Sequence, residues 1–306
     1  MAGERLPARF SLRSQLWFRW TRLRRASDGH AGKCFETLPT GRQAPQAICK
    51  PFLIKMSTRI DIKFLTLLSI AFILCTVVGT ISHEYGHIIV AKYFGYETNL
   101  YYASMDYYPK GYLEDEDFKA YVALTNKYRG LDYETWPEEV KDKVAAYTNI
   151  LEERYWNEQA KNSLYVTMGG PIQTILTGMI GLTILFSRRK IIQINGLQLW
   201  DWLAVFLGLF WLREVFNLTL SVALEILSPD GRWFGGDEYY LSEGLHLWPG
   251  TVPIILGVLG LLASLYIIFI VIPKPLRLTF IMSGLIGGIS GYILWIYMVG
   301  PRVLPY

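Results

Sequence analysis

Five long apolar stretches dominate this chain, and each is long enough to cross a lipid bilayer as a helix. A membrane-spanning helix needs about 20 mostly apolar residues. Glycine is frequent in these stretches, as expected where helices approach each other closely in lipid. We therefore predict an all-α polytopic membrane protein with about five transmembrane helices, over Phe64–Ser82, Leu164–Phe186, Leu199–Leu227, Thr251–Ile272 and Leu278–Val299.

The composition agrees with a protein embedded in lipid. Hydrophobic residues make up 52% of the 306 residues and charged residues only 18%, against about a quarter in an ordinary soluble domain. The net charge of +4 conceals a basic N-terminal part, because residues 1–55 hold eleven Lys/Arg and three Asp/Glu, a net of +8, and residues 56–306 therefore sum to −4. We expect no nucleic-acid partner, a disordered basic extension over residues 1–55, and a multi-pass location in a lipid bilayer, that of a bacterial cell membrane.

Polar segments between the apolar stretches set the predicted boundaries. After the extension, the predicted units are the first span with its polar end (56–94), a hydrophilic insertion (95–163), spans two and three with an acidic loop (164–250), and the last two spans (251–306). The insertion is acidic and of mixed helix and short-strand character. Its Tyr-rich segment 97–108 predicts a strand or hairpin, and helices are predicted over 115–128 and 137–161, with Pro137 at a helix start.

The first apolar stretch ends in the motif His83-Glu84-Tyr85-Gly86-His87. Residues four apart share one face of a helix, so both imidazoles can reach one metal ion. Glu84 points about 100° away around the same turn, where it can act as a general base without binding the metal. The alternative is that the two histidines only mark the membrane–water boundary, although such a boundary requires no histidine pair with a glutamate between.

This motif and the following segment, Ile88–Gly95, resemble the first motif of the site-2-protease-type intramembrane zinc metalloproteases. A second resemblance is Gly169-Gly170-Pro171, which is similar to the Gly-Pro element beside the active site of that family. The family often has Asn three residues after the proline, whereas this chain has Thr174. The resemblance covers residues 64–240 and implies a membrane-embedded zinc enzyme in which Gly170 and Pro171 help to position the substrate.

A catalytic zinc usually has three protein ligands and keeps its fourth position for water. The resemblance implies that the third ligand is an aspartate from a later helix, usually followed by glycine. Asp230 is followed by Gly231 and matches that pattern literally. Asp237 follows a Gly-Gly pair and resembles the Asp-x-x-x-Leu turn of divergent relatives. We favour Asp237, because an Asp–Gly pair is also a common turn; Glu238 and His246 are further alternatives.

Three polar residues interrupt the third apolar stretch, namely Arg213, Glu214 and Asn217. Exposure of these side chains to lipid would be costly, so we expect them to face the interior of the bundle or a wet cavity. The sequence leaves two interpretations open. They form an interhelical ion pair with hydrogen bonds, or they position the substrate or orient a metal-bound histidine, the latter role falling to Asn217 or Glu214.

These features together predict a zinc metalloendopeptidase, a hydrolase acting on peptide bonds of membrane proteins or membrane-associated peptides. Glu84 is the predicted catalytic residue. The predicted Zn²⁺ ligands are His83, His87 and Asp237. Two other classes stay open: a catalytically inert, protease-like protein that binds membrane proteins, and a small-ion transporter with Arg213 and Glu214 along its path.

Overall fold

The structure, a computed structural model, describes residues 60–229, 231 and 233–305, and only the backbone of residues 156–161. It is 78% helical, which confirms the predicted all-α polytopic class. The predicted extension at residues 1–55 lies outside the described residues. Five helical segments are long and apolar enough to cross a membrane, and they are Ile62–Tyr93, Asn162–Asn195, Leu199–Leu227, Thr251–Val271 and Lys274–Val303. The chain therefore fits a multi-pass membrane protein.

The described part of the chain contains ten α-helices and two β-strands. In order they are α1 (Ile62–Tyr93), β1 (Glu97–Leu100), β2 (Met105–Tyr108), α2 (Glu116–Asn126), α3 (Glu138–Leu151), α4 (Asn157–Asn195), α5 (Leu199–Gly208), α6 (Leu212–Leu227), α7 (Asp237–Gly244), α8 (Thr251–Tyr266), α9 (Arg277–Ile293) and α10 (Gly300–Val303). Tighter 3₁₀ turns occupy Tyr133–Thr135, Leu209–Trp211 and Lys274–Leu276, and wider π turns occupy Glu152–Trp156, Ile267–Val271 and Leu294–Val299.

The first span begins at a specific cap and ends at a glycine. The Asp61 carboxylate accepts hydrogen bonds from the backbone N–H groups of Lys63, at 3.0 Å, and Phe64, at 3.2 Å, which satisfies two of the donors that a helix start leaves unpaired. At the other end the chain leaves the helix through Gly95, whose φ of +82° suits a residue without a side chain. The motif His83–His87 lies within the last three turns of α1, which ends at Tyr93.

The second span differs from its prediction. The sequence suggested one helix over 137–161 and a separate span over Leu164–Phe186, but α3 continues through a π turn directly into α4, which ends only at Asn195. The basic cluster Ser187–Lys190 ends the apolar stretch without ending the helix, because arginine and lysine are good helix formers. The helix stops before Gly196, which has a φ of +74°.

The predicted hairpin in the insertion is confirmed. Strands β1 and β2 pair antiparallel, with Glu97 opposite Tyr108. The last span and the residue after it hold the turn between the strands. The Trp295 indole N–H donates to the Tyr102 carbonyl at 2.7 Å, and the Tyr102 N–H donates to the Leu304 carbonyl at 3.2 Å. The hairpin is thus fixed against the C-terminal end of the bundle.

Close packing joins the spans, since lipid offers little hydrophobic force between helices. Helix α1 packs against α4 and α9, and α6 packs against α8. The Phe72 ring lies 5.1 Å from that of Phe206 and 5.4 Å from that of Phe280, measured between centroids. At the α1–α9 crossing, a Cβ atom on Gly287 would lie 2.4 Å from the Ser69 carbonyl oxygen, so only glycine permits this approach.

We expect Gly287→Ala to lower the free energy of unfolding of the detergent-solubilised protein by ~1–3 kcal/mol, the cost typical of overpacking. Its unfolding temperature should fall accordingly. The neighbouring Gly288→Ala is the matched control, because a Cβ atom there meets open space, and alanine is the better helix former. Thermal unfolding followed by circular dichroism compares the two variants. Equal stabilities for both would contradict the packing argument.

The insertion contains an ion pair that makes its stability depend on pH. The hydrogen bond from Arg154 holds the pKa of Asp115 down to about 2, below the ~3.9 of an unfolded aspartate. Asp115 also accepts hydrogen bonds from the Tyr155 hydroxyl and the Asp117 N–H, each at 2.8 Å. Because the folded pKa is lowered, the stabilisation is complete above the unfolded value and is lost as the pH falls towards 2.

We therefore expect Asp115→Asn to loosen the insertion at pH 7, although asparagine is still a good helix cap. The difference between variant and wild type should shrink below pH 4 and become small near pH 2, where Asp115 is about half protonated in the folded protein. Hydrogen exchange of the α2 amides, corrected for intrinsic rates, measures it. A difference that persists unchanged at pH 2 would exclude the ionised Asp115 as its cause.

Candidate metal centre

Three side chains from two distant parts of the chain converge at the end of the first span. His83 and His87 lie on α1, and Asp237 is the first residue of α7. The Asp237 Oδ2 atom lies 2.8 Å from His83 Nε2 and 3.2 Å from His87 Nε2, and the two Nε2 atoms are 3.2 Å apart. His83 is fully buried and His87 is 6% exposed. Among the described residues, this group is the one that could hold a metal ion.

The two histidines face α4 because glycines let the two helices touch. A Cβ atom on Gly86 would lie 2.4 Å from the Gly169 carbonyl oxygen, and one on Gly169 would lie 2.4 Å from the Gly86 carbonyl oxygen. A Cβ atom on Gly170 would lie 2.2 Å from His87 Nε2 and 2.4 Å from His83 Nε2. The space in front of both Nε2 atoms therefore exists because residue 170 has no side chain.

Hydrogen bonds on the far side of each ring orient the imidazoles. His87 Nδ1 lies 2.7 Å from the Val166 carbonyl oxygen, and this oxygen can only accept, so Nδ1 carries a proton. When the ring is neutral, Nε2 then has the lone pair that a metal ion requires. The Gly170 N–H is farther from the same nitrogen, at 3.3 Å. His83 Nδ1 is hydrogen-bonded to the Thr174 hydroxyl at 2.9 Å. Partners of this kind fix the orientation of metal-bound histidines.

Asp237 is placed by the turn before it and by the helix that it begins. Gly236 has a φ of +80°, a conformation that favours glycine and that turns the chain into α7. At the next turn of α7, the Ser242 hydroxyl oxygen accepts a hydrogen bond from the Val252 N–H at 3.1 Å, which joins α7 to α8. Burial raises the pKa of Asp237, but hydrogen bonds with His83 and His87 outweigh it and hold the pKa well below its ordinary value. The carboxyl is therefore ionised.

The donor set and its spacing fit a zinc ion. Two imidazole nitrogens and one carboxylate oxygen are ordinary zinc ligands, and bond lengths of about 2.0–2.2 Å put the corners of a tetrahedral site ~3.3 Å apart. The observed separations of 2.8–3.2 Å approach that value. The space above Gly170 lies directly against both Nε2 atoms. The side chain of Asp237 is 29% exposed, so the group lies at the edge of a buried region rather than sealed within it.

Glu84 lies beside the metal group without belonging to it. Its side chain is buried, at 6% exposure, and it interacts electrostatically with His87 and Asp237. As the next residue along α1 from His83, it is displaced by about 100° around the helix. This is the position that the motif predicts for a base next to a metal.

The other candidate residues of the sequence analysis lie in different places relative to the metal group. Glu238 is fully buried and accepts a hydrogen bond from Asn217 at 3.2 Å, but it is outside the metal group. Glu214 is buried next to Glu238. His246 is exposed just after α7. Asp230 lies outside the described residues.

Sequence reasoning missed the partners that orient the imidazoles. It offered Asn217 or Glu214 for that role as one of two open interpretations, whereas the ring nitrogens are hydrogen-bonded to the Thr174 hydroxyl and the Val166 carbonyl. Thr174 lies one helical turn after Gly170, so its spacing was a usable signal. The Val166 carbonyl belongs to the backbone and has no sequence signal at all.

Comparisons of the chain with protein-family models, with curated proteins and with solved structures find no match. The motif and the geometry of its surroundings are therefore the basis for a functional proposal.

We expect Gly170→Ala to abolish metal binding, because its Cβ atom would occupy the space in front of both Nε2 atoms. Gly288→Ala, where a Cβ atom meets open space, should keep the metal content of the wild type. Elemental analysis after dialysis against zinc measures the zinc content of both variants. Stoichiometric zinc in the Gly170→Ala protein would mean that the ion binds elsewhere.

Proposed function

We propose that this chain is a membrane-embedded zinc endopeptidase. The observation that carries the proposal is the convergence of His83, His87 and Asp237 within 3.2 Å, with the buried Glu84 beside them. Two imidazole nitrogens and one carboxylate oxygen converge there on one point, an arrangement that a cation between them would stabilise.

Zinc is the metal that we propose. A mixed nitrogen and oxygen ligand set with three protein ligands is typical of catalytic zinc sites that keep one position open. When bound, zinc polarises a carbonyl group and makes a coordinated water molecule more acidic.

The residues of the chain supply the proton transfers. Glu84 accepts a proton from water as the water oxygen attacks the carbonyl carbon of the peptide bond. Glu84 then gives this proton to the amide nitrogen as the C–N bond breaks, so that it acts first as base and then as acid. Its burial places the carboxylate in surroundings with little water, where charge interactions are strong.

The substrate class that we propose is membrane proteins or membrane-associated peptides. The site lies near the end of a span rather than on a separate soluble domain. A helix hides its carbonyl groups in its own hydrogen bonds, so a substrate has to be locally extended to be attacked. Segments that unwind near the membrane boundary meet that requirement.

We expect Glu84→Gln to stop cleavage while it preserves the zinc site, because glutamine has the same size and cannot accept the proton. Quantitative proteomics of membranes from cells with either protein should show intact substrates that accumulate only with Glu84→Gln. Zinc content should be equal in the two purified proteins.

Other outcomes would favour the other two classes. A protein without stoichiometric zinc, and whose cellular effects are unchanged by Glu84→Gln, would be an inert binding protein. Ion flux in liposomes that depends on Arg213 and Glu214 but not on Glu84 would indicate a transporter.

A further inference from the structure

One face of α6 carries a polar stripe that leads to the metal centre. Arg213, Asn217 and Ser221 are spaced four residues apart and so share a face. Ser221 lies beside Gly235, whose ideal Cβ position is 3.7 Å from the serine hydroxyl oxygen. Asn217 donates to Glu238 at 3.2 Å. The stripe thus follows the segment that delivers the third ligand, and Arg213 lies one turn further along it.

Arg213 is a charged residue inside a membrane span. It forms no ion pair within 4.0 Å with a carboxylate of the described residues, and its buried Nε atom has no hydrogen-bond partner there. Glu214, the adjacent acid, points about 100° away around the helix. A charged guanidinium with an unsatisfied, buried Nε atom is costly at this depth, and such residues usually mark a functional site.

Arg213 lies near the metal centre, because Asn217, one turn away on the same face of α6, contacts Glu238, the residue next to Asp237. It is close enough to interact electrostatically with His83 and with Glu84. A positive charge next to a general base and a metal group suits a ligand that is negative or becomes negative during the reaction. The carbonyl oxygen of a peptide under attack is such a ligand, because its charge develops only in the transition state.

We propose that Arg213 is a further catalytic residue, which donates hydrogen bonds to the carbonyl oxygen of the scissile peptide bond. This inference rests on the proposed function. As the water oxygen bonds to the carbonyl carbon and Glu84 takes the proton, the π electron pair of the carbonyl moves onto its oxygen, next to Arg213. When that pair re-forms the double bond, the C–N bond breaks and its electron pair goes to nitrogen, which receives the proton from Glu84.

The test uses the zinc-loaded full chain in detergent micelles. Its substrate is a membrane protein that accumulates intact in cells with the Glu84→Gln variant. Arg213→Met removes the charge at similar length, and Arg213→Gln is a second neutral variant should Arg213→Met not fold. Arg189→Met is the matched control, because Arg189 is exposed and lies 19 residues beyond Gly170 on α4, about 28 Å away. A phosphinate pseudopeptide, which carries a tetrahedral anion, serves as the transition-state probe.

We expect the neutral variants to keep their zinc and to change KM less than about threefold, while kcat falls by about 100-fold or more, as on loss of an oxyanion-hole donor. Affinity for the phosphinate should fall by at least about tenfold. Arg213→Lys should recover part of kcat, since lysine keeps the charge but not the planar fork. Arg189→Met should match the wild type in every measurement.

Three results would overturn the inference: a wild-type kcat in both neutral variants, a change confined to KM, or loss of zinc. Failure of the proposed function is distinguishable from these. In that case the wild type itself would cleave nothing and bind no phosphinate, and Glu84→Gln would behave like the wild type. Cleavage that depends on Glu84 but not on Arg213 removes only the inference made here.

Discussion

The contact between α1 and α4 is the constraint on which the rest of the site depends. At Gly86 and Gly169 the two backbones approach so closely that a Cβ atom on either residue would collide with the carbonyl oxygen of the other. This approach brings the Val166 carbonyl and the Thr174 hydroxyl to the backs of the two imidazoles. In lipid, where apolar surface gains little from burial, such close packing is a main source of helix association. One crossing therefore serves both stability and the geometry of the site.

The sequence predicted those features that depend on local pattern. The five apolar stretches identified the spans, and the spacing of His83 and His87 identified one face of one helix. Helix length was less predictable, because apolar content reports where lipid ends and not where a helix ends; α4 continues past its basic cluster to Asn195. The continuation has a visible consequence, since Arg188 pairs there with the fully buried Asp201 at 2.6 Å. No local pattern indicates a pair that requires the start of α5 to fold back against α4.

The third metal-group residue shows where sequence reasoning reaches its limit. Asp237 and Asp230 were both compatible with the pattern, and the choice between them depends on a turn. Gly236, with a φ of +80°, directs Asp237 back to α1, which is a tertiary effect. The polar residues of α6 are similar: their cost in lipid predicted that they face inward, but not that Asn217 contacts Glu238 rather than a histidine.

The location of Asp237 outside the spans has a consequence for how the site assembles. Its two histidine partners belong to the first span, whereas α7 is held in place by α8 through the Ser242–Val252 hydrogen bond. Because α7 also packs against α4, the three-residue group is complete once α7 has docked on both α4 and α8. An ion that binds this group and not the unfolded chain stabilises the assembled state in proportion to its affinity. Metal binding and docking of the late helices are thus coupled, and a change that loosens α7 would weaken metal affinity without touching a ligand.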